Sequence, residues 1–191
     1  MSDFTRDFYE DLAFSKAQRQ DSDIDTLRAM FPTCASIIKT TEEDDKLGTD
    51  YVVTLRRGAQ LRVDAKTRSP GCRRFWAAGP ELSLEVWSVM PGGKFSTPRH
   101  KSRTGWTLDE SKDIDLILFT FDAADHVFAY VRPLALLRET FRRNFGDWYG
   151  AYRHEPQETR KDSLLYQSEC VFVPLVIVDQ AIEAMSRRKV S

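Results

Sequence analysis

Hydrophobic and polar residues alternate most cleanly over two short runs, Asp50-Tyr51-Val52-Val53-Thr54-Leu55 and Leu61-Arg62-Val63-Asp64-Ala65-Lys66. Side chains of a strand project to opposite faces in turn. Tyr51, Val53, Leu55, Leu61, Val63 and Ala65 therefore share a largely apolar face. Asp50, Val52, Thr54, Arg62, Asp64 and Lys66 share a mostly polar one. This pattern predicts a half-buried antiparallel pair. Gly58 can supply the left-handed residue of a three-residue hairpin loop, Arg56-Arg57-Gly58. Such a loop pairs Leu55 with Ala59 and carries Asp50 opposite Asp64, where opposed Cβ atoms stand roughly 5 Å apart.

The rest of the chain reads as alternating helices and strands. Phe4, Phe8 and Leu12 at i, i+4 spacing predict a helix over 3–19. Asp21 or Ser22 can cap a second, short helix through Met30, with Ile24, Leu27 and Met30 inward and Pro32 at its stop. Residues 34–40 read as a strand and 41–48 as an acidic turn. Residues 82–89 alternate as a further strand, and 91–106 form an exposed loop rich in Pro, Gly, Ser and basic residues. Residues 114–121 are nearly continuously apolar, the mark of a strand buried on both faces. A strand over 126–131 follows. Pro133 opens a helix to about residue 145, with Leu134, Leu137 and Phe141 inward. Residues 146–163 read as a loop and 170–173 as a short strand. A closing helix spans 175–187, with Val176, Ile177, Ala181 and Met185 inward. The expected class is α/β (α+β), a central mixed β-sheet flanked by helices. The length suits a single domain over 1–191, with a core at about 5–145 and a C-terminal strand and helix at 164–187.

Charge changes the picture. The net charge is −1, but its distribution is uneven. Residues 1–50 hold 12 acids against 6 bases. Residues 56–74 hold seven bases (Arg56, Arg57, Arg62, Lys66, Arg68, Arg73, Arg74) and a single acid, Asp64. Lys94, Arg99, Lys101 and Arg103 add a second acid-free basic stretch. Cationic side chains near phosphates release counterions and bind without sequence preference, so a polyanion partner is expected, with a solvated loop face as the plainer alternative. Cys34, Cys72 and Cys170 form neither a disulfide framework nor a paired ligand motif. No apolar run approaches the ~20 residues of a membrane span, and the N-terminus has no apolar signal region. The expectation is a cytoplasmic protein without a membrane partner.

Two opposed carboxylates repel, and a cation between them relieves the penalty. Asp50 and Asp64, with Lys66 on the same face, suit a divalent-metal phosphodiesterase site. The plainer readings are a surface ion pair for Asp64 and Lys66 and a turn cap for Asp50. Gly92-Gly93-Lys94 lacks the remaining residues of a phosphate loop, and no Gly-x-Ser-x-Gly elbow occurs. His100, His126 and His154 are scattered without zinc-ligand spacing. Trp106, Trp148, Tyr149 and Tyr152 are candidates for base stacking or for plain packing.

An N-terminal helix bearing Glu10, then Gly48-Thr49-Asp50, then Asp64-Ala65-Lys66, resembles the PD-(D/E)XK nuclease superfamily. That superfamily has the restriction-endonuclease-like fold shared with archaeal Holliday-junction resolvases. The resemblance covers roughly residues 5–90, and the proline that usually precedes the first Asp is absent. It implies a restriction-endonuclease-like domain that cuts DNA with Mg2+ (or Mn2+). Asp50, Asp64 and the Ala65 carbonyl would hold the ion. Lys66 would orient water or offset charge, and Glu10 would act as a ligand or base unless it merely lies on a solvated helix face. Glu85 is a candidate further ligand or a lone polar residue on an exposed strand face. Arg62, Arg68, Arg73, Arg74, Lys94, Arg99, Lys101 and Arg103 would face DNA. A homodimer is implied by relatives that cut two strands. The alternative is a nuclease-like fold without catalysis, serving as a nucleic-acid- or protein-binding module.

Overall fold

The hairpin forms where the alternation places it. The computed structural model describes residues 6–7, 22–41, 48–68, 70–76, 79–92, 101–123, 126–161 and 164–188. Strand β3 (Tyr51–Leu55) pairs antiparallel with β4 (Gln60–Arg68), with Tyr51 opposite Val63 and Val53 opposite Leu61. The Leu55 amide donates to the Ala59 carbonyl at 2.8 Å, and Gly58 closes the loop at φ +82°. A residue with a Cβ pays a steric penalty at that φ.

The chain divides into two compact units, one of Ser15–Trp76 and Glu110–Leu137, the other of Met1–Phe14, Ala77–Asp109 and Arg138–Ser191. The first unit holds a five-stranded mixed sheet in the order β2-β3-β4-β7-β8. Here β2 is Cys34–Lys39, β7 is Leu116–Ala123 and β8 is His126–Pro133. β4 is central, antiparallel to β3 and parallel to β7. Residues 117–121 are buried on both parities, as their continuous apolar run predicts. Helix α1 (residues 22–30) covers one face of this sheet. Its Leu27 joins Tyr51, Val53, Val63, Ala65, Leu118 and Val131 in a buried cluster. Burial of each large side chain contributes about 1.5–3 kcal/mol relative to exposure. Met30, expected inward, is 45% exposed. Asp23 takes an inward place instead, one turn before Leu27, because two hydroxyls meet its carboxylate. Tyr51 Oη donates to Asp23 Oδ2 at 3.2 Å and Thr120 Oγ1 donates to Oδ1 at 3.0 Å. On the opposite face a 3-10 helix, Pro70–Phe75, leads to Trp76, whose ring meets Phe121 edge-on at 6.0 Å.

The second unit holds a five-stranded sheet in the order β1-β9-β10-β5-β6. Its strands are Arg6–Asp7 (β1), Glu81–Val89 (β5), Arg103–Thr104 (β6), His154–Lys161 (β9) and Leu164–Pro174 (β10). The fold is therefore mixed α/β with two sheets among the described residues, where one central sheet was expected. Alternation marks 82–89 as a strand but does not name its partner, which is β10. Arg6 and Asp7 pair in parallel with Thr159 and Arg160, so the expected helix over 3–19 does not run through them. The rest of that helix lies outside the described residues, as do residues 93–100 of the expected basic loop.

Helix α2 (Leu134–Ala151) begins after Pro133 and buries Leu134, Leu137 and Phe141 as expected. It continues six residues beyond the expected stop, because Phe145 and Trp148 extend the apolar stripe and their rings pack on Phe141 at 5.4 and 6.0 Å. Helix α3 (Leu175–Arg188) buries Val178, Ile182 and Met185, while Val176 is 48% exposed. The inward stripe is thus shifted from the expected one, although Met185 belongs to both. No helix among the described residues is long and apolar enough to cross a membrane.

Candidate functional site

Asp50 brackets Asp64 through hydrogen bonds to both of its neighbours. The Asp50 amide donates to the Val63 carbonyl at 2.9 Å, and the Ala65 amide donates to Asp50 Oδ2 at 2.7 Å. The β3–β4 register, carried one step past Tyr51 and Val63, brings Asp50 level with Asp64. The Thr40 amide donates to the Asp50 carbonyl at 2.9 Å, and Thr40 Oγ1 donates to the Thr49 carbonyl. These bonds fix the approach to β3 against the end of β2. Gly48 stands just before it at φ +94°, a conformation that favours glycine.

Asp64 lies in the middle of the sheet and is 1% exposed. Lys66, two residues on and therefore on the same strand face, donates from Nζ to Asp64 Oδ1 at 2.6 Å. Lys66 keeps a third of its side chain exposed. Asp64 Oδ2 is buried and has no hydrogen-bond partner. Burial pushes the Asp64 carboxyl up to about 6 from an ordinary 3.8. Lys66 opposes this rise, and Asp50 adds to it, by its charge and by the hydrogen bond the two carboxyl groups share when Asp64 carries a proton. An orphaned buried carboxylate oxygen is costly, and it is rare in a settled core. Two carboxylates with one free buried oxygen form a hard donor set of the kind a divalent cation such as Mg2+ takes. Among the described residues no group of three or more His, Cys, Asp or Glu side chains is arranged to hold a metal. The oxygen set here is two side chains, with the Ala65 carbonyl as the main-chain donor that the resemblance implies.

The other expected site residues are placed as follows. Glu10, Lys94 and Arg99 lie outside the described residues. Glu85, on β5 of the second unit, is half-buried, and its Oε2 accepts from Ser88 Oγ at 2.6 Å and from the Trp106 amide at 3.0 Å. It holds the Gly105–Trp106 segment, where a Cβ on Gly105 would run into the Glu85 carbonyl oxygen. Arg62 forms an ion pair with Asp113, and its amide donates to Asp115 Oδ2 at 2.8 Å. Arg74 lies over the Phe75 ring at 4.6 Å. Arg68 and Arg73 are half-buried in the first unit, while Lys101 and Arg103 are exposed in the second. Trp106 and Trp148 are buried. Tyr149 donates to the buried Glu169 at 2.8 Å and stacks on His154 at 3.9 Å, an arrangement for packing rather than for base stacking.

Two residues that contact the chain on either side of Asp50 were not singled out from the sequence. Asp23 anchors Tyr51, the residue after Asp50; its only signal was i, i+4 spacing to Leu27. Lys112 carries its ammonium over Gly48. Compared with known proteins, the chain matches no family model, no curated protein and no solved structure.

Proposed function

We propose that this chain is a metal-dependent nuclease that hydrolyses phosphodiester bonds in DNA, on a restriction-endonuclease-like domain of the PD-(D/E)XK type. The observation that carries the proposal is the buried, partnerless Asp64 Oδ2 beside the Asp50 carboxylate, with Lys66 held on the other Asp64 oxygen. Asp50, Asp64 and the Ala65 carbonyl are the groups that would hold Mg2+ or Mn2+. Such an ion polarises a phosphate and lowers the pKa of bound water.

The chain's own residues supply the rest. Asp50 is positioned by two main-chain bonds and one side-chain bond, so its carboxylate needs little reorganisation. Asp64 is desolvated, which strengthens its electrostatic interactions. Lys66 is tied to Asp64 at its tip yet partly exposed along its length. It can reach a phosphate's non-bridging oxygens and offset the charge that grows there in the transition state, as preorganised cations do.

Incubation of supercoiled plasmid with Mg2+ or Mn2+ tests this directly. Wild type should nick the plasmid, and Lys66→Ala should lose cutting while keeping DNA binding. Binding without cutting in either metal would leave a nuclease-like module that only holds nucleic acid. Absence of binding across a salt series would end the nucleic-acid reading altogether.

A further inference from the structure

Lys112 lies against the chain two residues before Asp50. A Cβ built on Gly48 would stand 2.7 Å from Lys112 Nζ, 3.0 Å from Lys112 Cδ and 3.1 Å from Ile114 Cδ1. The lysine stem therefore lies along the Gly48 backbone, in space that any other residue would fill. Gly48 is suited to this twice over, by its missing side chain and by its φ of +94°. Consecutive Cα atoms are 3.8 Å apart, so the ammonium lies within about 12 Å of the Asp50 Cα.

The segment that carries Lys112 is fastened to β4 just before the acid. The Arg62 amide donates to Asp115 Oδ2 at 2.8 Å, and the Asp115 amide returns a bond to the Arg62 carbonyl at 3.0 Å. The Arg62 guanidinium meets Asp113. Arg62, expected to face nucleic acid, is thus engaged in holding this segment, and Lys112 is the cation the segment presents. Lys112 is half-buried, with its stem packed along the Gly48 backbone, so it has less freedom to lose than a fully exposed lysine when it meets an anion, and lysine binds phosphate as a compact point charge.

We infer that Lys112 binds a backbone phosphate of the DNA strand that enters the acid site, next to the phosphate cut there. This inference rests on the proposed nuclease reading for its substrate, but not on catalysis. Phosphates recur every 3.4 Å along the axis of one strand, so the reach of Lys112 covers the near neighbours of a phosphate held at Asp50 and Asp64.

The test is fluorescence anisotropy of a labelled DNA duplex with the full chain in Ca2+, across a salt series. Lys112→Gln keeps most of the stem, and Lys112→Arg keeps the charge. Lys112→Gln should weaken binding about 5–10-fold, equally for unrelated duplex sequences, and reduce the slope of log K against log salt by about 1. Lys112→Arg should restore the slope. Gly48→Ala, with Lys112 intact but displaced, should weaken binding in the same direction. Lys112→Gln with unchanged affinity and slope would overturn the inference. So would a change confined to thermal stability, which is the result expected if Lys112 only offsets the nearby carboxylates. Plasmid nicking is read separately: a wild type that binds but does not cut defeats the nuclease reading and leaves the salt slope to decide the role of Lys112.

Discussion

Lys66 Nζ lies 2.6 Å from one oxygen of Asp64 and leaves the other oxygen of that carboxylate buried without a partner. The pair is asymmetric, because the Asp64 side chain is enclosed while a third of the Lys66 side chain is exposed. Removing the ammonium strands a buried charge, and such losses are strongly destabilising. Lys66→Ala is expected to lower stability by about 1–3 kcal/mol at pH 8, below the 3–5 kcal/mol of fully buried pairs because Lys66 is partly exposed. At pH 5 the loss should be smaller, since Asp64 then takes up a proton. Urea unfolding at the two pH values measures both. Equal losses at pH 5 and pH 8 would show that the Asp64 charge is not what Lys66 offsets.

The raised pKa of Asp64 fixes the sign of a pH effect. The folded chain holds this proton up to about pH 6, whereas the unfolded carboxyl releases it near 3.8. The folded state therefore binds more protons between those values, and stability falls as pH rises through that window. At ~1.4 kcal/mol per pKa unit the loss is about 3 kcal/mol above pH 6. Asp64→Asn removes it, so in the absence of divalent metal the variant should melt higher than wild type at pH 8. The two should converge towards pH 4.

Bound metal should reverse that order. A ligand that binds the folded state alone stabilises it in proportion to the logarithm of its concentration over Kd. Mg2+ should raise the melting temperature of wild type at pH 8 and much less at pH 5, where a proton competes for Asp64. Asp64→Asn and Asp50→Asn should lose most of the rise. A wild type whose melting temperature ignores Mg2+ and Mn2+ at pH 8 would remove the metal from the site.

Asp23 accepts from Tyr51 and Thr120 at once, and so links α1 to the strands on either side of β4. Asp23→Ala leaves two buried hydroxyls without that acceptor. The expected cost is about 1–3 kcal/mol per stranded group. Tyr51→Phe withdraws one of the two donors from the buried Asp23 carboxylate and leaves Thr120 in place, so it should cost less. Denaturant titration of the two variants gives the comparison, and a larger loss for Tyr51→Phe would contradict the network.

Much of the hairpin and its acid pair was legible because the rules involved are local. Alternation assigned the faces of β3 and β4, and Gly58 set the loop and hence the register. The enclosure of Asp64 was not legible. It comes in part from β7, a parallel neighbour far along the chain, and alternation within β4 says nothing about who lies beside it. The end of α2 was missed because Gly146, Asp147 and Gly150 look like a loop, although Phe145 and Trp148 keep the helical spacing from Phe141. β9 was missed for a different reason. His154–Lys161 has almost no apolar alternation, and the strand is held by main-chain pairing with β10 and β1. Met30 and Val176 lie on stripes where the rotational phase, rather than the helix itself, was misjudged.

The parallel pairing of β4 with β7 joins Val63 to Leu116. Closing a loop of about fifty residues costs more chain entropy than closing the three-residue hairpin, and non-local strand pairing is slow where hairpins form in about 1–10 μs. Assembly of this unit is therefore expected to proceed in two kinetic stages. The carboxylates of Asp50 and Asp64 converge while water still surrounds them, and dehydration of Asp64 follows when β7 docks. Substitutions at Val53 or Leu61 should then act chiefly on the refolding rate, and those at Ile117 or Phe119, which dock in the slow stage, on both rates. The electrostatic tension at the acid pair therefore enters with the docking of β7, and so belongs to the slow stage of assembly rather than to the hairpin.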